Sequence, residues 1–322
     1  MTFRTEIRIT PWEHKLDYTS RIVTLGSCFA DNIAKSLAHS KFRVTASPTG
    51  ILFNPASIAR HMELMARGEE IGSEQLFAEG TRYLSYNFHS SIAGNSPENA
   101  IATMNNMLRT GAEAIRSSDL CIVTLGTAWV YRLRSSGEVV ANCHKQPATL
   151  FRRELLSVDN VVEALERIMH VAPRSVLFTL SPVRHMGDGL EDNSLSKAIL
   201  RVAIDSICSK HPDRAAYFPS YEIMMDDLRD YRFYNADMIH PSSIAVDYIA
   251  ERFFDVALND RSKSLKLKID KIVRATEHRP FDPSSREYLN FCRAQLEQIA
   301  QLEEVDLSKE KSYFDNALQI NL

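Results

Sequence analysis

The chain has 322 residues, 44% of them hydrophobic, which is enough apolar side chain for one large core. Its 38 Lys and Arg against 41 Asp and Glu leave a net charge of −3 with no basic cluster, so a groove for nucleic acid is not expected. Cys28, Cys121, Cys143, Cys208 and Cys292 stand far apart with no CxxC pair, which reads as reduced thiols. The start, MTFRTEIRITPWEHKLDYTS, lacks the apolar stretch of a signal peptide, and no run approaches the roughly 18 apolar residues of a membrane span. A cytoplasmic protein is expected.

In chain order, an apolar run at Arg21–Leu25 is followed by Phe29, Ile33 and Leu37 at four-residue intervals, one face of a helix. A second strand is expected at Phe42–Ala46. From Arg67 to Pro97 the chain turns to Gly, Ser, Glu and aromatics, and the pattern of one-sided helix resumes with Ile101, Met104, Leu108, Ala112 and Ile115. Leu120–Leu125 is the third strand. A second insertion, Tyr131–Leu156, contains a Ser-Ser-Gly hairpin. Val161, Leu165 and Ile168 mark a further helix before strands at Ser175–Leu180 and Ala215–Phe218. Ala245, Ile249 and Phe253 stripe the next helix, with Pro241 suited to its first position. Short β-rich runs alternating with helices predict an α/β fold, a parallel sheet covered on both faces.

Beyond residue 260 the chain becomes heavily charged. Leu289, Cys292, Leu296, Ile299 and Glu303 follow a 3–4 spacing, a narrow stripe that packs on the main domain or on a second chain, which would make a homo-oligomer. The expected division is a main domain over 20–260 and a charged helical extension over 261–322.

Three strands end alike, in VTLGS (23–27), VTLGT (123–127) and FTLSP (178–182), passing from apolar into small hydroxylated residues. Such ends open onto a polar crevice, where open α/β sheets bind ligands. The two insertions carry His, Asn and Arg, which favours a role at that crevice.

Ser27, between strand and helix, is either the helix cap or a nucleophile beside main-chain amides that could hold an oxyanion. Asp237 and His240 form a DxxH turn, in which the carboxylate can orient the imidazole as a base; the plainer reading is an Asp cap and a surface His. Cys28 could supply a thiolate at the helix start, but the residue after such a turn faces the helix–sheet packing. His89, His144, His185 and His240 share the crevice side and would suit zinc if three converged, yet none has HxH or HExxH spacing and no metal is expected. Arg184 suits a carboxylate, a phosphate or an oxyanion, or else pairs with Asp188 or Asp237. Lys145 is equally ambiguous. Trp129 and Tyr131 could wall an acyl or sugar group.

GSCFA at 26–30 and DMIHPS at 237–242 resemble the first and last blocks of the SGNH (GDSL-like) hydrolase superfamily. More narrowly, the chain is similar to the GSCFA family, through GILFNPASI (50–58), FHS (88–90), LGTAWVY (125–131), NCHKQP (142–147) and SPVRHMGDG (181–189). The similarity runs from Arg21 to Phe254, with the last 60 residues outside it. It implies a three-layer α/β/α flavodoxin-like fold of about five strands. It also implies a serine-dependent ester hydrolase or acyltransferase without cofactor, acting on a small-molecule or saccharide ester. Position by position, Ser27 matches the nucleophile, His240 the general base and Asp237 its orienter. Gly50 matches the block-two glycine whose amide donates to the oxyanion, with the amide of Ser27 as another donor. The superfamily's third block, Gly-x-Asn-Asp, is here Gly126-Thr127-Ala128-Trp129. A third donor would then have to come from Thr127, Asn54, Asn142 or His144, with His89, Arg184 and His185 completing the binding set. A donor lost outright costs about 2.7–4 kcal/mol of transition-state stabilisation, which would leave a weak catalyst or a binding and scaffold protein.

Overall fold

The computed structural model describes residues 4–172 and 174–319. Five strands, β1 (Arg21–Gly26), β2 (Arg43–Ala46), β3 (Leu120–Leu125), β4 (Ser175–Leu180) and β5 (Ala215–Phe218), form one parallel sheet in the order β5-β4-β3-β1-β2. This is the flavodoxin-like order, whose switch point lies between β1 and β3. The register sets Gly26 opposite Thr124 and Thr124 opposite Thr179, so the carboxyl ends of β1, β3 and β4 finish level with one another.

The helices are α1 (Cys28–His39), α2 (Pro55–Arg67), α3 (Pro97–Ser117), α4 (Val158–Val171), α5 (Leu190–Lys210), α6 (Ser243–Ala257), α7 (Asp260–Glu277), α8 (Arg286–Ala300) and α9 (Ser308–Gln319). Strand side chains alternate between two cores. Val23, Leu25, Val123 and Phe178 face Ile58, Met104, Leu165 and Ile204 of α2, α3, α4 and α5. Ile22, Ile122 and Leu177 face Phe29, Ile33 and Leu37 of α1 and Phe253 of α6, a core that continues into the last three helices through Ile269, Cys292 and Phe314. The result is a three-layer α/β/α arrangement in which the central strands β1, β3 and β4 are buried on both faces, which is why they read as continuous apolar runs, while the edge strand β2 is partly exposed.

Several boundaries differ from expectation. Phe42 is still in the turn after α1, its amide donating to Leu37 O, so β2 begins at Arg43. Pro241 precedes the helix: Ser242 is the cap, its side chain accepting the Ala245 N–H, while Pro241 bridges to Tyr234. In α8 the buried face is Tyr288, Cys292, Gln295 and Ile299, not the row through Leu289 and Glu303. The tail seats on the main domain. Lys41 pairs with the buried Glu310 at 2.6 Å, and Ser40 Oγ donates to Asp270 at 2.8 Å.

The second insertion folds into a three-stranded antiparallel sheet of Trp129–Leu133, Val139–Val140 and Phe151–Leu155, with the expected hairpin closed by Gly137 at positive φ. No described helix is long and apolar enough to cross a membrane.

Candidate active site

A cleft of about 930 Å³ opens at the carboxyl ends of the strands, between the inserted sheet and the loop before α6. At its base the chain leaves β1 through Gly26, whose φ is +123° and whose Cβ, if it had one, would lie 2.1 Å from Thr124 O. Only glycine permits that approach. Ser27 follows as the cap residue of α1, yet its side chain makes no capping bond. Ser27 Oγ is buried, at 1% residue exposure, and has no hydrogen-bond partner among the described residues. The hydroxyl is therefore bonded neither to the helix, as a cap would be, nor directly to His240. Thr124 Oγ1, Thr49 Oγ1 and Ser57 Oγ are likewise unpartnered.

Asp237 and His240 meet as the DxxH spacing allows. His240 Nδ1 donates to Asp237 Oδ2 at 2.7 Å, while Asp237 Oδ1 accepts the amides of Ile239 at 2.8 Å and His240 at 3.0 Å. Those amides, with the imidazole, hold the Asp237 carboxyl down at about 2. An ionised Asp237 fixes the proton of a neutral His240 on Nδ1 and leaves Nε2 as an acceptor, the form a general base requires. His240 lines the cleft; Met238, between the two residues, takes a left-handed φ of +57° to close the turn.

The main-chain donors expected for an oxyanion are spent. The Gly50 amide donates to Ser47 O at 2.7 Å and the Ser27 amide to Thr124 O at 3.0 Å. Phe53 O takes the amides of both Gly126 and Thr127. Thr127 Oγ1 shares a hydrogen bond with Ser196 Oγ and accepts the Trp129 N–H at 3.0 Å. Asn142 Oδ1 accepts the His144 amide at 2.7 Å. What remains is Asn54: it caps α2 by accepting the Ser57 amide on Oδ1, lines the cleft, and makes no protein hydrogen bond through Nδ2. Its segment is pinned beside the Gly26–Ser27 turn, since Leu52 donates to Gly26 O at 2.8 Å. The amides of Cys28 and Phe29 open α1 and have no acceptor within the helix.

The histidines do not converge. His144 is buried away from the cleft, donating through Nε2 to Ser85 O and packing its ring on Phe77, so it is a structural residue of the insertion. His89 lines the cleft and accepts the Ser91 amide on Nδ1; burial lowers its pKa. His185 lines it as well, edge-on to Phe53, and burial, helped by Lys197 and His240, pushes it down to about 4, keeping it neutral. Among the described residues no group of three His, Cys, Asp or Glu is placed to hold a metal ion.

Residues 21–253 match the GSCFA family and residues 269–320 match its relative described as "GSCFA domain protein, C-terminal domain". The chain belongs to the GSCFA family. The second match brings the charged tail into the family pattern, against the expectation that it falls outside. No curated protein matches the chain. Among solved structures, one described as "The structure of a putative platelet activating factor from Streptococcus pneumonia" is similar at 9% identity over 73% of this chain and 83% of that one, with a TM-score of 0.35. A likeness that distant says nothing about the site.

Within the GSCFA motif itself, Cys28 corrects another expectation. It lines the cleft while also packing on the core. Burial, with Asp31 close by, pushes its thiol up rather than down, so the helix start does not make it a thiolate. Arg184 pairs with neither Asp188 nor Asp237; its guanidinium lies over the rings of Tyr234, at 4.0 Å, and Tyr231, at 5.2 Å. Asp188 belongs to Arg153, which stacks on Trp129 at 3.5 Å. Tyr131 lines the cleft beside Trp129, and Lys145 is exposed outside it.

Sequence reasoning missed Lys197. Its side chain lies at 2% exposure under the strand ends, donating to Gly126 O at 2.7 Å and Ser181 O at 2.6 Å. The available signal was its spacing, because Lys197 falls on the same buried face of α5 as Leu200, Ile204 and Ile207.

Proposed function

We propose that this GSCFA protein is a serine-dependent ester hydrolase or acyltransferase of the SGNH type, acting on an acylated small molecule, carbohydrate esters included. The observation that carries the reading is Ser27 Oγ, a buried hydroxyl at a helix cap that caps nothing, next in the chain to Cys28, which lines a cleft also lined by His240, itself bonded to Asp237. Buried polar groups are normally satisfied, so a hydroxyl left unpaired is one kept for another partner.

In this reading a substrate carbonyl enters the cleft and His240 Nε2 takes the Ser27 proton as Oγ attacks. Asp237 steadies the imidazolium. Asn54 Nδ2 and the first amides of α1 receive the oxyanion in place of the absent Gly-x-Asn-Asp side chain. Water then releases the acyl group, or a sugar hydroxyl takes it. The direct Ser27–His240 bond forms on substrate binding, since catalytic hydrogen bonds tighten in the Michaelis complex.

A fluorophosphonate probe tests this. Labelling that vanishes in Ser27→Ala and persists in Cys28→Ala supports the enzyme; a folded wild-type sample that stays unlabelled refutes it. The competing reading, a non-catalytic binding or scaffold protein, is favoured by the amides of Ser27 and Gly50, both already bonded to carbonyls. It predicts that unlabelled outcome.

A further inference from the structure

Three charged side chains line the cleft, Arg153, Arg184 and Asp188. Arg153 and Asp188 pair at 2.9 Å, with Asp192 adding a second carboxylate at 3.4 Å, so the Arg153 charge is fully answered. Among the described residues Arg184 has no such partner. Among the carboxylates on the surrounding turns, Asp230 pairs with Arg232, Asp226 with Arg229 and Glu222 with Arg201, while Asp237 is hydrogen-bonded to His240. The cleft also has an apolar lining in Ile51, Phe53, Val130, Val140, Phe151 and Ile239.

The guanidinium is also held in place. It stacks on Tyr234, whose bridge to Pro241 ties it to the residue after His240, and the Arg184 amide donates to Ile239 O, the residue before it. The loop after β4, which carries this cation, is thus tied to the loop that carries the general base. Stacking on a ring face leaves the in-plane N–H groups free, and a guanidinium ordered in advance loses little rotamer freedom when it takes a bidentate anion.

Building on the ester-cleaving reading, we propose that the substrate carries an anionic group, a carboxylate or a phosphate, which docks on Arg184 while the apolar wall takes the chain that links it to the ester. A neutral acyl ester would leave that cation without an anion to bind.

The test reads binding rather than turnover. Hexanamide, the monoamide of adipic acid and a phosphonate analogue of the same length are titrated calorimetrically into wild-type protein, Ser27→Ala and Arg184→Gln. The anionic probes are expected to bind wild type and Ser27→Ala about tenfold or more tighter than hexanamide. That preference should weaken between low and high salt, disappear in Arg184→Gln, and survive in part in Arg184→Lys. The tighter of the two anionic probes names the carboxylate or the phosphate source. Equal binding of neutral and anionic probes to wild type, no measurable anionic binding, or a preference that persists in Arg184→Gln overturns the proposal. Should Arg184→Gln not fold, the wild-type preference and its salt dependence still decide. An anion preference without fluorophosphonate labelling would sink the catalytic reading and leave the anion site standing.

Discussion

Lys197 Nζ donates to the carbonyl oxygen of Gly126 at 2.7 Å from a position with almost no solvent exposure. With Ser181 O as its second acceptor, it ties together the ends of β3 and β4, and no carboxylate answers its charge. An ammonium so placed is costly, and burial brings its pKa down to about 7.

That placement gives a stability signature. An unfolded lysine holds its proton to about pH 10.4. Between the folded and unfolded values the unfolded chain binds more protons, so stability rises with pH there, and below pH 7 the burial penalty is present in full. Relative to Lys197→Met, the wild type is expected to gain up to about 1.4 kcal/mol per pH unit between pH 7 and 9.5, measured by urea unfolding. Parallel pH profiles for the two proteins would show that the buried group keeps its proton.

Ser27 separates capping from catalysis. A serine that caps loses about 1 kcal/mol of stability when replaced by alanine. Here Oγ is buried and bonds to nothing, so Ser27→Ala should be neutral or stabilising by up to about 1 kcal/mol while abolishing ester turnover. Thermal melts of the two proteins check it; a clear fall in Tm would restore the capping role.

The sheet was legible because its central strands are buried on both faces; Leu120–Leu125, Ser175–Leu180 and Ala215–Phe218 stand at the expected bounds. The DxxH pair was legible too, since three residues of one turn suffice to join carboxylate and imidazole. What escaped depends on where individual carbonyls fall, within a turn or on a distant strand. Whether the amides of Gly50 and Ser27 are free is decided by where Ser47 O and Thr124 O fall, and no motif records that. His144 shows the same limit. It sits in a family-like segment, but the inserted sheet turns it toward Ser85 and Phe77, away from the cleft. Cys28 went the other way, because the turn exposes the residue after the serine to the cleft.

Asp237 sets the acid limb. Its carboxyl titrates near 2 in the fold, below the usual carboxylate range, so any stability it contributes is complete above about pH 4 and is lost as pH falls toward 2. Asp237→Asn keeps the size and forfeits the charge that fixes the His240 tautomer. Turnover is expected to fall by roughly 10²–10⁴-fold with little change in KM. Steady-state kinetics on an activated ester read both, and an unchanged kcat would remove Asp237 from the machinery.

In the proposed mechanism Asn54 is the residue on which oxyanion stabilisation rests once Gly50 and Thr127 are spent, and it has two separable jobs. Oδ1 caps α2 through the Ser57 amide at 2.8 Å, and Nδ2 is left for the cleft. Serine is as good a cap as asparagine, so Asn54→Ser keeps the helix start and removes only the donor. It should melt close to wild type while losing roughly 10²–10³-fold in kcat, the cost of one oxyanion donor. Asn54→Ala should show the same kinetic loss plus about 1 kcal/mol of destabilisation. If Asn54→Ser turns over like wild type, the first amides of α1 carry the oxyanion alone, and the missing third-block asparagine has no side-chain replacement.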